Sequence, residues 1–197
     1  MIKEQVSQAL LTLIQKGQPL AKITVSQLLK QAKISRQTFY NHFLDKDDLI
    51  QYIYTTKILG GFAQSNQTFD FCQELTQVYE KMQNYRSFMQ QACLLTGPNS
   101  LKAYMFKHCE DFDLKWHQHL YGPTSMPEKL VLATKYHATA SSSMTLSWIL
   151  ADFPTSSYEM AKLITQMRSV GMEQFLGDKN PYVMQKFDNF NQVSKGR

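Results

Sequence analysis

The stretch Ile23-Thr24-Val25-Ser26-Gln27-Leu28-Leu29, then Ala32-Lys33-Ile34-Ser35-Arg36-Gln37-Thr38-Phe39-Tyr40-Asn41-His42-Phe43, then Lys46-Asp47-Asp48-Leu49-Ile50, decides the fold of this chain. Three helix-start signals succeed one another in it. Thr24 can cap the free amides of one helix while Gln27 reaches back, a capping box, and Ile23 and Leu28 flank it as a hydrophobic staple. Val25, Leu28, Leu29 and Ala32 then form the buried stripe. Ser35 opens the next helix, with Ile34 and Phe39 in the staple positions. Asp45 opens a third, with Leu44 and Leu49 as the expected staple. Asp47 and Asp48 fall in its first turn, where negative charge suits the helix dipole.

Two short helices joined by a tight turn are what a helix-turn-helix requires. The first braces against the DNA backbone and the second enters the major groove by its N-terminal end. The second must therefore keep packing residues on one side and hydrogen-bonding residues on the other. Helical periodicity puts Phe39 and Phe43 inward and turns Gln37, Thr38 and Asn41 away from them. Arg36 and Tyr40 flank the first turn, within reach of base edges or phosphates. Arginine can grip guanine O6 and N7, glutamine or asparagine can grip adenine N6 and N7, and Thr38 can meet a thymine methyl. Lys46 carries a compact charge suited to a phosphate. A short polar helix pinned over a small core would show the same wheel, so periodicity leaves both readings open.

Charge points the same way. The net charge is +5, and residues 1–44 contain six basic side chains against the single acid Glu4, whereas basic and acidic residues balance from Asp45 onward. A positive excess confined to one segment is the electrostatic footprint of a nucleic-acid contact.

Outward from this segment the chain reads as helix throughout, with apolar residues at three- and four-residue spacing and no alternating runs. A helix over 2–16 carries Val6, Leu10, Leu13 and Ile14 on one stripe and stops at Gly17. Beyond the helix-turn-helix the spacing predicts helices over 46–63, 68–83, 85–95, 99–121, 127–152 and 156–176. Breaks fall at Gly60-Gly61, Gly97-Pro98-Asn99, Gly122-Pro123 and Pro154. The expected fold is all-α: a three-helix DNA-binding domain over 1–48, a helical bundle over 49–177 and a partly mobile tail over 178–197. No run approaches the roughly 18 apolar residues of a membrane span, the start is unlike a signal peptide, and a cytoplasmic chain is expected. Cys72, Cys93 and Cys109 are odd in number and widely spaced, so they suggest reduced thiols and neither a disulfide framework nor a zinc finger.

The quoted residues closely resemble the DNA-binding domain of the TetR/AcrR family of transcription regulators, over about the first fifty-five residues. The densest part is Thr38-Phe39-Tyr40-Asn41-His42-Phe43 followed by Lys46. Carried over position by position, the resemblance implies base contacts from Ser26, Arg36, Gln37 and Thr38, and phosphate contacts from Thr24, Tyr40, His42 and Lys46. One departure is Lys33, at a turn position that is usually glycine in the family. A positive φ there costs a non-glycine residue about 1 kcal/mol.

The resemblance further implies a body that pairs two copies through its last two long helices, reads double-stranded palindromic DNA, and often holds a small-molecule effector. The run Ala133 to Met144 is rich in small residues that let helices approach closely, and Ala133, His137, Ala140, Ser141 and Met144 are the candidate homodimer contacts. Tyr79, Met82, Phe88, Tyr104, Met105, Phe112, Trp116 and Trp148 are the candidates for lining an effector pocket, although the same residues could simply fill a core. His108, Cys109, His117, His119 and His137 are competent metal ligands. However, His117 and His119 diverge on a helix, so no metal or other cofactor is expected. No nucleophile elbow, phosphate loop or HExxH motif occurs, and no catalytic residue is expected. The expected function is a ligand-responsive transcription regulator, more often a repressor in the family. The alternatives are a DNA-bound adaptor that docks another protein and a metal-responsive regulator.

Overall fold

The computed structural model describes residues 1–62, 70–122 and 124–176, without side chains at 120 and 169–176. Among the described residues there are nine α-helices and no strand: α1 Ile2–Gln15, α2 Val25–Ala32, α3 Arg36–Tyr40, α4 Lys46–Ile53, α5 Phe71–Asn84, α6 Arg86–Leu94, α7 Leu101–Tyr121, α8 Glu128–Leu150 and α9 Ser157–Leu176. The expected tail over 178–197 lies outside the described residues.

Local chemistry starts these helices where the side chains allow it. Thr24 and Gln27 form the complete capping box of α2. Ser35 caps α3 through Thr38 N at 3.0 Å, and Asp45 caps α4 through Asp48 N at 2.8 Å. The third staple is not made: Leu44 is 82% exposed. Asp48 instead accepts from the Leu44 amide at 2.9 Å, so the turn is closed by a carboxylate and the leucine side chain is swung outward. Helix α3 is also only five residues long, and Phe43 enters the core from the turn that follows it.

The predicted helix over 46–63 is not continuous. After Ile53 the chain widens into a π turn, Tyr54–Ile58, closed by the Leu59 amide on the Tyr54 carbonyl at 3.0 Å. Thr55 and Thr56 donate their hydroxyls to the carbonyls of Gln51 and Tyr52, four residues back, a pattern that loosens and bends a helix. Gly60 then lies so close to the turn that a Cβ there would sit 2.5 Å from the Thr56 carbonyl oxygen.

Helix α1 brings its whole predicted stripe into the core, joined by Leu28 and Ala32 of α2, Phe39, Phe43, and Leu49 and Ile50 of α4. Burying one such aromatic or aliphatic side chain is worth about 1.5–3 kcal/mol. The same core runs on without a gap into Tyr79, Met89, Trp148 and Ile164 of the later helices. Polar ties reinforce the junction: Leu20 N donates to Gln91 Oε1 at 2.7 Å, and Gln51 Nε2 donates to the Asn99 carbonyl at 2.7 Å. In the later helices α5 packs on α9, and α8 lies against α6, α7 and α9. No helix among the described residues is long and apolar enough to cross a membrane.

Candidate nucleic-acid interface and the cavity behind it

The outer face of α2 and α3 gathers most of the residues singled out in the sequence. Phe39 and Phe43 are buried beneath it, and Ser26, Arg36, Gln37, Asn41 and His42 are exposed above, with Tyr40 47% exposed and Thr38 half-buried. Arg36 donates from Nη2 to Ser26 Oγ at 3.2 Å, linking the two helices on their open side. Thr38 Oγ1 lies 2.8 Å from the Ser35 hydroxyl, and the Thr24 hydroxyl is engaged with Gln27. The turn between the helices is closed by Lys33 at φ 52° and ψ 46°, the left-handed conformation that glycine adopts most easily.

Lys46 is held differently from the others. Its Nζ donates to the carbonyls of Leu20 and Ile23, both at 3.0 Å, so the ammonium ties the start of α4 to the turn before α2. Of its three N–H groups these two bonds leave one over.

Residues 5–44 contain no Asp or Glu, and the nearest acids in the sequence, Asp45, Asp47 and Asp48, sit at the start of α4. Glu4 is paired with Lys57 of the π turn at 2.5 Å. The Lys3 ammonium rests over the rings of Phe43 and Tyr52, 5.4 and 5.0 Å from their centroids. The exposed cations Lys22, Lys30, Lys33 and Arg36 are left to set the local potential.

Behind the π turn lies a cavity of about 90 Å³ bounded by α5, α7, α8 and α9. Four of the eight expected pocket residues line it: Tyr79, Met82, Met105 and Phe112. The other four do not. Phe88 is buried in the core, and Trp148 is locked between Tyr79 and Phe153, with ring centroids 5.1 and 4.7 Å away. Tyr104 stacks on His108 and shares a 3.1 Å hydrogen bond with Thr55, and Trp116 stacks on His119. Tyr54 and Leu59 bring the wall of the cavity into the π turn itself.

The sequence reading missed the polar end of the cavity. Arg168 of α9 donates from Nη2 to Asp113 Oδ1 of α7 at 2.7 Å, and the two side chains are 11% and 1% exposed. Nη2 also lies 3.3 Å from His117 Nε2. The tautomer follows from the chain of bonds. Thr134 Oγ1 donates to the Leu130 carbonyl, so it accepts from His117 Nδ1 at 2.8 Å, which leaves Nε2 with the lone pair facing Arg168. Burial, with Arg168 adding to it, pushes the His117 pKa down to about 3. Asp113 is pushed up by burial, against the pull of Arg168. Partners 55 residues apart leave no local signal; only an arginine in an otherwise apolar helical register hints at one.

Among the described residues no group of three or more His, Cys, Asp or Glu is placed so that it could hold an ion, the competent ligands His108, Cys109, His117, His119 and His137 included. Of the candidate dimer contacts on α8, one is buried within the chain and four are half-buried. His137 is 9% exposed, Ser141 lines the cavity, Met144 packs against the core, and Ala133 and Ala140 are half-buried. The surface that α8 and α9 leave open carries Leu132, Tyr136 and Leu150 on one helix and Leu163 and Met167 on the other, 42–71% exposed. The four-residue step from Leu132 to Tyr136 is the signal in the sequence that marks this face.

The molecule is thus an all-α protein with a helix-turn-helix face near its N-terminus and a cavity-bearing helical bundle beyond it. A solved structure titled "Dihydroxyacetone kinase operon activator DhaS" has this fold, with a TM-score of 0.65 at 18% sequence identity over 89% of this chain and 98% of that one. No protein-family model and no curated protein matches the chain.

Proposed function

We propose that this chain is a sequence-specific DNA-binding transcription regulator of the TetR type, not an enzyme, that acts as a homodimer and responds to a small-molecule effector. The observation that carries the reading is the α2–α3 face: hydrogen-bonding side chains and cations over buried Phe39 and Phe43, with no acid between Gln5 and Leu44. On this reading Ser26, Arg36, Gln37 and Thr38 meet bases, and Thr24, Tyr40, His42 and the free N–H of Lys46 meet phosphates. The exposed apolar face of α8 and α9 is the natural dimer seam, and a twofold pair would read inverted half-sites. The cavity supports an effector-responsive regulator over an adaptor with a filled body.

The resemblance to the TetR family favours repression, while the solved neighbour is titled an activator, so a reporter assay on the bound promoter reads the sign. The DNA claim is tested by footprinting the promoters beside the coding sequence at low salt. Protection of a palindrome whose half-sites lie about one helical turn apart, or a multiple of it, is the expected result. Uniform weak retention of every fragment, with no protected site, contradicts it.

A further inference from the structure

The cavity also constrains what it can hold, given the reading above that the body binds an effector. Its walls are apolar at Leu75, Val78, Met82, Met105 and Phe112. At its polar end the groups are largely satisfied in pairs: Tyr79 with Thr145 at 2.7 Å, and the Cys109 thiol against Asp113 Oδ2 at 4.0 Å. Arg168 is the charged group there with donors to spare. Its guanidinium is directed at Asp113 and His117 through Nη2 alone, its plane lies over Phe71 with 4.6 Å to the ring centroid, and its other N–H groups have no partner among the described residues.

Charge accounting then limits the occupant. Arg168 and Asp113 cancel. His108, His117 and His137 are all held toward the neutral form by burial, and the Cys109 thiol is pushed up to about 11. A carboxylate ligand would bring a second negative charge beside Asp113, which already holds the arginine. An ammonium ligand would face Arg168 with no unpaired carboxylate to receive it. Either charge would be desolvated with no net opposite charge to offset it, because Arg168 and Asp113 already compensate each other. Size limits it too: a cavity of about 150 Å³ accommodates the six heavy atoms of benzene, so this one, of about 90 Å³, suits about four or five.

We infer that the cavity binds a compact neutral molecule with an apolar body and one acceptor oxygen, of the short ketone or alcohol class, whose oxygen accepts from Arg168. The apolar part lies among Val78, Met82, Met105 and Phe112, and its presence bears on Tyr54 and Leu59, through which the cavity meets the π turn and α4.

The test uses the full chain labelled at its methionine methyl groups and three probes of equal heavy-atom count: butanone, propionate and butylammonium. Met82 and Met105 report the cavity, and Met89, buried but not lining it, is the internal control. Butanone should shift the Met82 and Met105 resonances with a dissociation constant of about a millimolar and leave Met89 unmoved. The two ions should bind at least about tenfold more weakly. Replacing the pair together, Asp113→Leu with Arg168→Met, should weaken butanone about tenfold while xenon, which needs only apolar space, still enters. The three-probe comparison needs no variant and stands if the double variant fails to fold. Propionate or butylammonium binding as tightly as butanone, or no shift by any probe, overturns the inference. Binding is read without DNA: a protein that selects its DNA site but ignores the probes leaves the regulator reading intact, and one that takes butanone but no DNA overturns that reading alone.

Discussion

Arg36 reaches from α3 back to Ser26 of α2, donating from Nη2 at 3.2 Å across the open side of the helix-turn-helix. Both residues sit where base contacts are expected, so in the free protein each holds the other in place. The bond pre-sets the guanidinium and must be exchanged or shared when a base edge arrives. Arg36→Ala and Gln37→Ala should each lower affinity for the preferred site by about 1–3 kcal/mol and flatten discrimination at one base position. Ser26→Ala should cost less on the preferred site. Competition titrations against single-base variants of the site measure this.

Lys46 should behave as a clamp as well as a phosphate contact. Its two carbonyl partners, Leu20 and Ile23, lose a charged donor in Lys46→Met, and a half-buried bond of this kind is worth about 1–2 kcal/mol. The variant should melt several degrees lower and bind all sequences more weakly by a similar factor. A variant that melts like the wild type would assign Lys46 to the DNA alone.

Lys33 is the reverse case. Its backbone is left-handed, so Lys33→Gly relieves strain of about 1 kcal/mol and should raise the melting temperature by about 2–4 °C. The same change removes a cation from the basic face, and the salt dependence of DNA binding should become shallower by about one ion. Thermal melts and a salt series separate the two effects.

Stability should fall on mild acidification. His117 is held near a pKa of about 3 when folded, mainly by burial, and His108 and His137 are also lowered. Below the ordinary histidine range of about 6.5 the unfolded chain takes up protons that the folded chain refuses. The folded state therefore loses ground as pH drops from about 6.5 toward 3. Asp113 and Asp47 act with the opposite sign, their raised pKa values favouring the folded state at low pH, but they are two groups against three and start from the lower carboxylate range. Between pH 7.5 and 5, His117 alone forfeits up to about 2 kcal/mol. Melts across that range should show the decline, and His117→Asn should reduce it.

The α2–α4 region was legible because its information is local. Caps and turn residues within four positions of one another, such as Thr24 with Gln27 or Ser35 with Thr38, define each helix start. Where a longer-range partner decides, the signal fades. Leu44 read as a staple until the Asp48 carboxylate took its amide. Helix α8 is packed on several sides, so apolar residues lie all round it and no stripe separates inward Met144 from outward Tyr136. Trp148 looked like a pocket wall and proved to be core, whereas Arg168 and Asp113, 55 residues apart, had nothing nearby to announce them.

The most direct measurement of the central claim is selection from a library of randomised duplexes by the purified full chain at low salt. The account predicts enrichment of an inverted repeat, with half-sites about 10–10.5 base pairs apart or a multiple of that, and loss of the enriched pattern with Arg36→Ala. A folded wild-type protein that leaves the library without an enriched repeat would contradict it.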